Sequence, residues 1–100
     1  MSLIDKWRKK IDELDVKLVK LLNERAQSAA EIGKIKQTLG LDAYSPEREE
    51  EVMKNVTEGN RGPLSVHAIR RLFERIIDES RSVERAAMQD KSKKSTGNSK

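Results

Sequence analysis

The residues of this 100-residue chain best placed to do chemistry are the polar ones that interrupt apolar stripes. Read in steps of three and four, residues 4 to 39 give Ile4, Trp7, Ile11, Leu14, Leu18, Leu21, Arg25, Ser28, Ile32, Ile35 and Leu39. That spacing is a heptad stripe along one helix. Arg25 stands in its middle, where a guanidinium must lie against packed side chains. A buried charge without a partner is costly, so an anion should meet it, from a neighbouring side chain or from a ligand. A second stripe runs through Val66, Ile69, Phe73, Ile76, Ser80, Val83 and Ala87. Ser80 interrupts it, and Glu84 lies one turn later on the same face.

Helical geometry groups the remaining charges around these interruptions. Lys36 follows Arg25 by three turns, about 16 Å, and faces nearly the same way. Arg48 and Glu49 open a separate helix. Arg8 precedes Arg25 by about 25 Å along the axis, too far to share a pocket with it in one chain. In an antiparallel dimer it would serve the partner's pocket. Arg25, Lys36, Arg48 and the partner subunit's Arg8 describe a strongly cationic site, to which Glu49, Glu84 and Ser80 add donors and acceptors. Such a set suits a small dianion that carries a hydroxyl. The competing arrangement pairs Arg25 with Glu79 or Glu84 as a structural ion pair and leaves Lys36, Arg48 and Glu49 as ordinary exposed helix charges. Trp7 reads as core, and His67 as a surface histidine near a helix start.

Three helices must position these residues. The composition, 3% aromatic and 38% charged, favours helices with exposed charged faces over a β-rich fold. The first helix spans about Leu3 to Leu39 and ends at Gly40, a residue suited to the left-handed terminating position. At 1.5 Å per residue it is roughly 54 Å long, and a compact domain of this size has a radius of gyration of about 13 Å. The helix therefore overhangs any monomeric globule, and an intertwined homodimer with paired long helices is expected. Ser45 and Pro46 read as N-cap and first turn of a second helix, which stops near Gly59. A third begins near Leu64 and Ser65. The fold class is all-α: one long N-terminal helix and two shorter ones.

Charge and composition also exclude several functions. Four of the 21 basic residues lie in the last ten positions, which hold no acid; the other 17 are matched by 17 acids. The expectation is a folded helical domain over residues 1–90 and a lysine-rich disordered tail over 91–100. A neutral folded part gives no drive for nucleic-acid contact. With no cysteine and one histidine, neither a disulfide framework nor a zinc cluster can be built. No apolar run approaches the roughly 20 residues that span a bilayer, and the first residues carry no apolar stretch of signal-peptide length. A cytoplasmic protein is the expectation.

The ordered charges resemble a known family. Arg8 with Ile11, Leu14 and Asp15, then Leu21-Leu22-Asn23-Glu24-Arg25, is similar to the opening of the all-helical AroQ-type chorismate mutases. Ile32-Gly33-Lys34-Ile35-Lys36, Tyr44-Ser45-Pro46-Glu47-Arg48-Glu49 and Leu72-Phe73 through Ser80 and Glu84 continue the likeness over about residues 5 to 88. The resemblance implies a three-helix intertwined dimer with two equivalent sites, which rearranges chorismate to prephenate in aromatic amino-acid biosynthesis without a cofactor. It implies that Arg25 and the partner subunit's Arg8 hold the two substrate carboxylates, helped by Ser80. Lys36 would bind a carboxylate and the ether oxygen, and Glu84 would donate to that same oxygen. Glu49 would take the ring hydroxyl, with Arg48 close by.

Two positions depart from the pattern. Some members carry Asp where this chain has Ser45, and Gln where it has Glu84. Ser45 offers no carboxylate to the hydroxyl, and Glu84 donates a hydrogen bond only when protonated. Two alternatives remain open: an isochorismate pyruvate lyase using the same cationic pocket, and a non-catalytic helical dimerisation or regulatory module in which Arg25 sets register.

Overall fold

In the computed structural model the chain is three helices: α1 (Leu3–Leu39), α2 (Pro46–Glu58) and α3 (Val66–Asn98). The structure describes residues 2–89 in full and the backbone of α3 beyond them. The tail expected over 91–100 lies outside the fully described residues.

Local sequence sets each boundary. Ser2 caps α1, its hydroxyl accepting from the Asp5 amide at 3.1 Å. Gly40 ends it with φ 70, a left-handed conformation that glycine adopts without a Cβ penalty. The Leu41 amide then reaches back to the Lys36 carbonyl at 2.9 Å, closing a Schellman turn. Ser65 caps α3, accepting from the Ala68 amide at 3.0 Å. Ser45 occupies the expected N-cap position of α2 but makes no capping bond. Its ψ of 89 differs from the 159 of the capping Ser2, so its hydroxyl is not aimed at the first amides of α2.

α3 is the hub: α1 and α2 each pack on it and not on each other. The buried residues of α1 are Ala29 and Gly33, and the buried apolar residues of α3 are Ile77 and Ala87. The face of α1 that packs within the chain is therefore a stripe of small residues beside the heptad stripe, not the heptad stripe itself. Gly33 explains the closeness. A Cβ built there would lie 2.6 Å from the Glu84 carbonyl oxygen and 2.9 Å from its Cα. No side chain fits between these two backbones.

The large apolar residues of the heptad stripe stay exposed. Trp7 is 62% exposed, Leu18 55% and Leu21 61%, so the expectation of Trp7 as core does not hold within one chain. The chain measures 62 × 32 × 14 Å with a radius of gyration of 17.9 Å, well above the roughly 13 Å of a compact domain. The reason is the length of α1, whose N-terminal half has nothing of its own chain to pack against.

Gly33→Ala tests the close approach. The helix gains about 1 kcal/mol of propensity, but overpacking against backbone costs about 1–3 kcal/mol and belongs at the upper end because backbone cannot change rotamer. A net drop in unfolding free energy is expected in urea titration; a variant as stable as the parent would contradict the contact.

Candidate active site

The three helices enclose a cavity of about 450 Å³. Arg25 and Lys36 enter it from α1, Ser45, Arg48 and Glu49 from the start of α2, and Ser80 and Glu84 from α3. Seven of the eight residues singled out from sequence thus meet in one place. Arg8 does not: it lies on the exposed N-terminal part of α1, 3.9 Å from Asp5 of its own helix. The apolar wall is Ala29, Ile32, Ala43, Val52 and Ile77.

Arg25 is half-buried, and no carboxylate among the described residues pairs with it. Its Nη1 donates to the Ser80 hydroxyl, which in turn donates to the Ile76 carbonyl one turn back at 3.0 Å. The competing ion pairs do not form. Glu79 binds Arg75 at 2.6 Å on the α3 surface, and Glu84 binds Lys36. A guanidinium has five N–H donors in a fixed fork, so Arg25 keeps donors for an anion after contacting Ser80.

Lys36 and Glu84 form the most enclosed ion pair of the site. Lys36 Nζ lies 2.8 Å from Glu84 Oε1 and 2.9 Å from the Ala43 carbonyl, with the two side chains 16% and 15% exposed. Gly33 sits one turn before Lys36 on α1, so the backbone contact with Glu84 sets this pairing. The Schellman turn at Gly40 brings Ala43 back to the lysine. As an ion pair, Glu84 accepts from Lys36; the donor role that the resemblance implies requires its protonated form.

Arg48 lines the cavity from its rim and pairs with Glu51 on the exposed face of α2. Glu49 is held from both sides of its carboxylate. Arg81 Nε lies 2.9 Å from Oε2 and Arg81 Nη2 lies 2.6 Å from Oε1. The Tyr44 ring stacks 5.0 Å from that guanidinium, within cation–π range. The hydrogen bonds that Arg81 donates to Glu49 raise the Arg81 pKa above its ordinary value, so this group stays charged across the working pH range. Arg81 was not among the residues singled out from sequence. The available signal was its spacing: four residues after Ile77 and three before Glu84 put it on their stripe.

Four cations, Arg25, Lys36, Arg48 and Arg81, face two carboxylates, Glu49 and Glu84, across this cavity. Lys36, Arg48 and Arg81 each have a carboxylate partner, so the cation left for an anionic ligand is Arg25. Among the described residues no cluster of His, Cys, Asp or Glu could hold a metal ion, and no helix is long and apolar enough to cross a membrane.

Comparison with known proteins agrees with this fold. The family model for chorismate mutase type II matches residues 7–85. The bifunctional chorismate mutase/prephenate dehydratase of Neisseria gonorrhoeae is 42% identical over 78 residues, covering 78% of this chain and 21% of that protein. The chain thus spans about a fifth of the length of such bifunctional relatives. The chorismate mutase of Methanocaldococcus jannaschii is 43% identical over 49 residues, covering 49% of this chain and 50% of that protein. A solved structure of chorismate mutase (form II) from Thermus thermophilus superposes with a TM-score of 0.82 at 37% identity, covering 84% of this chain and 96% of that one.

Lys36→Met tests the enclosed pair. It leaves the Glu84 carboxylate and the Ala43 carbonyl without their shared donor, which is expected to lower unfolding free energy by about 1–3 kcal/mol. A loss below a few tenths in urea titration would show that water replaces the lysine at no cost.

Proposed function

The chain belongs to the type II chorismate mutase family, and on that premise we propose that its cavity rearranges chorismate to prephenate on the route to phenylalanine and tyrosine. One observation carries the reading beyond family membership. Arg25 is anchored by Ser80 yet paired with no carboxylate among the described residues, in a cavity lined by four cations and two carboxylates. A helical module without a ligand would have little reason to keep a half-buried guanidinium in that state.

The chemistry suits this set of residues. In the rearrangement the ether C–O bond breaks while a new C–C bond joins the enolpyruvyl methylene to the ring. No atom leaves, no proton is removed, and neither nucleophile nor cofactor takes part. The protein accelerates it by holding the chair-like diaxial conformer, an orientation effect. It also stabilises the negative charge that grows on the ether oxygen. Arg25 would hold one carboxylate, with Ser80 fixing the guanidinium. Lys36 would donate to a carboxylate and to the ether oxygen, and Glu84, protonated, to that oxygen as well. Donors that bind more strongly in the transition state than in the ground state are what acceleration requires. Glu49 would accept from the ring hydroxyl, with Arg48 at the rim, and the uncapped Ser45 hydroxyl would lie beside them.

The second carboxylate would fall to the partner subunit's Arg8 in a cytoplasmic homodimer. The exposed stripe of Trp7, Ile11, Leu14, Leu18 and Leu21 supports that assembly, because it is continuous and has the heptad spacing of a helix–helix seam.

Purified protein mixed with chorismate should consume it, seen as falling ultraviolet absorbance, and yield prephenate from a species of about twice 11.4 kDa. Arg25→Ala should stay folded and lose about 100-fold or more in kcat/KM. Release of pyruvate would instead identify the lyase. A folded parent without turnover, made more stable by Arg25→Leu, would identify the non-catalytic module.

A second test isolates Glu84, which faces Lys36 on α1 and shares its stripe with Arg81 on α3. The ionised carboxylate accepts from Lys36 and gives the ether oxygen nothing; the protonated one donates. Activity should therefore survive in Glu84→Gln, whose amide donates without a proton to lose, and fall about 100-fold or more in kcat/KM in Glu84→Ala. Equal losses in the two variants would remove Glu84 from the donor role.

A further inference from the structure

We propose that Arg81 is a positioning residue: it orients and neutralises the Glu49 carboxylate so that Glu49 can accept a hydrogen bond from the ring hydroxyl of a bound dianion. The inference rests on the mutase reading of the cavity and adds a residue that this reading does not use.

Glu49 sits in the first turn of α2, a helix that does not pack on α1. Its side chain has three rotatable bonds, and left to itself it would sample several directions. It would also bring a negative charge towards a dianionic substrate. Arg81 removes both problems. Its Nε–Nη2 edge meets the two carboxylate oxygens at 2.9 and 2.6 Å, a two-point geometry that fixes the carboxylate plane as well as its place. An ionised carboxylate has about four lone-pair sites; the fork takes one on each oxygen and leaves the others for a hydroxyl donor. The guanidinium charge cancels that of Glu49.

Arg81 is itself pinned. The Tyr44 ring stacks on it at 5.0 Å, and Asp78, one turn back on α3, lies 3.6 Å from Nη1. The link thus ties the turn after α1, the first turn of α2 and the middle of α3 together at one edge of the cavity. Because the Nε–Nη2 edge is engaged by Glu49, the geometry assigns Arg81 an effect through Glu49 and not a direct grip on substrate. Lysine cannot reproduce this fork.

A double-mutant cycle on the full chain, with chorismate as substrate, tests the assignment. Arg81→Met should raise KM about tenfold and change kcat by less than about threefold, because the hydroxyl is held alike in ground and transition states. Arg81→Lys should recover only part of the KM. In a Glu49→Ala background, Arg81→Met should add less than about twofold, since its effect runs through the missing carboxylate. Effects that multiply independently, or an unchanged KM in Arg81→Met, would overturn the proposal. If circular dichroism shows that Arg81→Met does not fold, Arg81→Lys in both backgrounds carries the same cycle. A folded parent that does not turn over chorismate would overturn the mutase reading and this proposal together; an active parent with independent effects would overturn this proposal alone.

Discussion

The molecule depends on one contact, the touching of the α1 and α3 backbones at Gly33 and Glu84. With a Cβ position 2.6 Å from the Glu84 carbonyl oxygen, that spacing admits hydrogen and nothing larger. Everything in the site is measured from it. Lys36 lies one turn along α1 and reaches the Glu84 side chain. Ala29 lies one turn the other way and lines the cavity, and Arg25 a further turn on meets Ser80. A glycine inside a long helix is locally unfavourable by roughly 1 kcal/mol against alanine. Here the loss is offset by a helix pair close enough for short polar side chains to meet across it.

The electrostatics follow from the same geometry. Each carboxylate of the cavity has its own cation: Glu84 has Lys36 from α1, and Glu49 has Arg81 from α3. Arg25 is left with a hydroxyl alone, and Arg48 looks outward to Glu51. The site is therefore not a uniform basic patch. It is two neutralised carboxylates, able to accept or donate at chosen points, set beside Arg25, which keeps its charge for a ligand. Placing opposite charges in one small cavity lets a dianion be attracted without leaving the carboxylates as repulsive groups.

α1 carries two stripes with different tasks. The small one, Ala29 and Gly33, packs on α3 of the same chain. The large one, from Ile4 through Leu21, is turned away from it and exposed. Arg25 and Ser28 lie where the two stripes meet the cavity, which explains why a heptad position holds a charge at all. A helix of 37 residues is long enough to support both a local packing face and an extended apolar face.

The sequence by itself determined the elements. Three-and-four spacing, Gly40 beyond α1, Ser45-Pro46 before α2 and Ser65 before α3 encode the helices through local backbone and side-chain preferences, which act within a few residues. It also identified seven of the residues that line one cavity, because a polar residue on an apolar stripe is visible in one dimension. The tertiary structure decided how those residues pair. Whether Arg25 meets Glu79, Glu84 or Ser80 depends on how α3 is rotated and slid against α1, and the Gly33 contact fixes that. Arg81 stayed hidden for the same reason. On α3 alone it is one more surface arginine, and only the placement of α2 puts the Glu49 carboxylate within 2.6 Å of it. Spacing along a helix reports which face a residue is on; what that face meets is set by non-local packing.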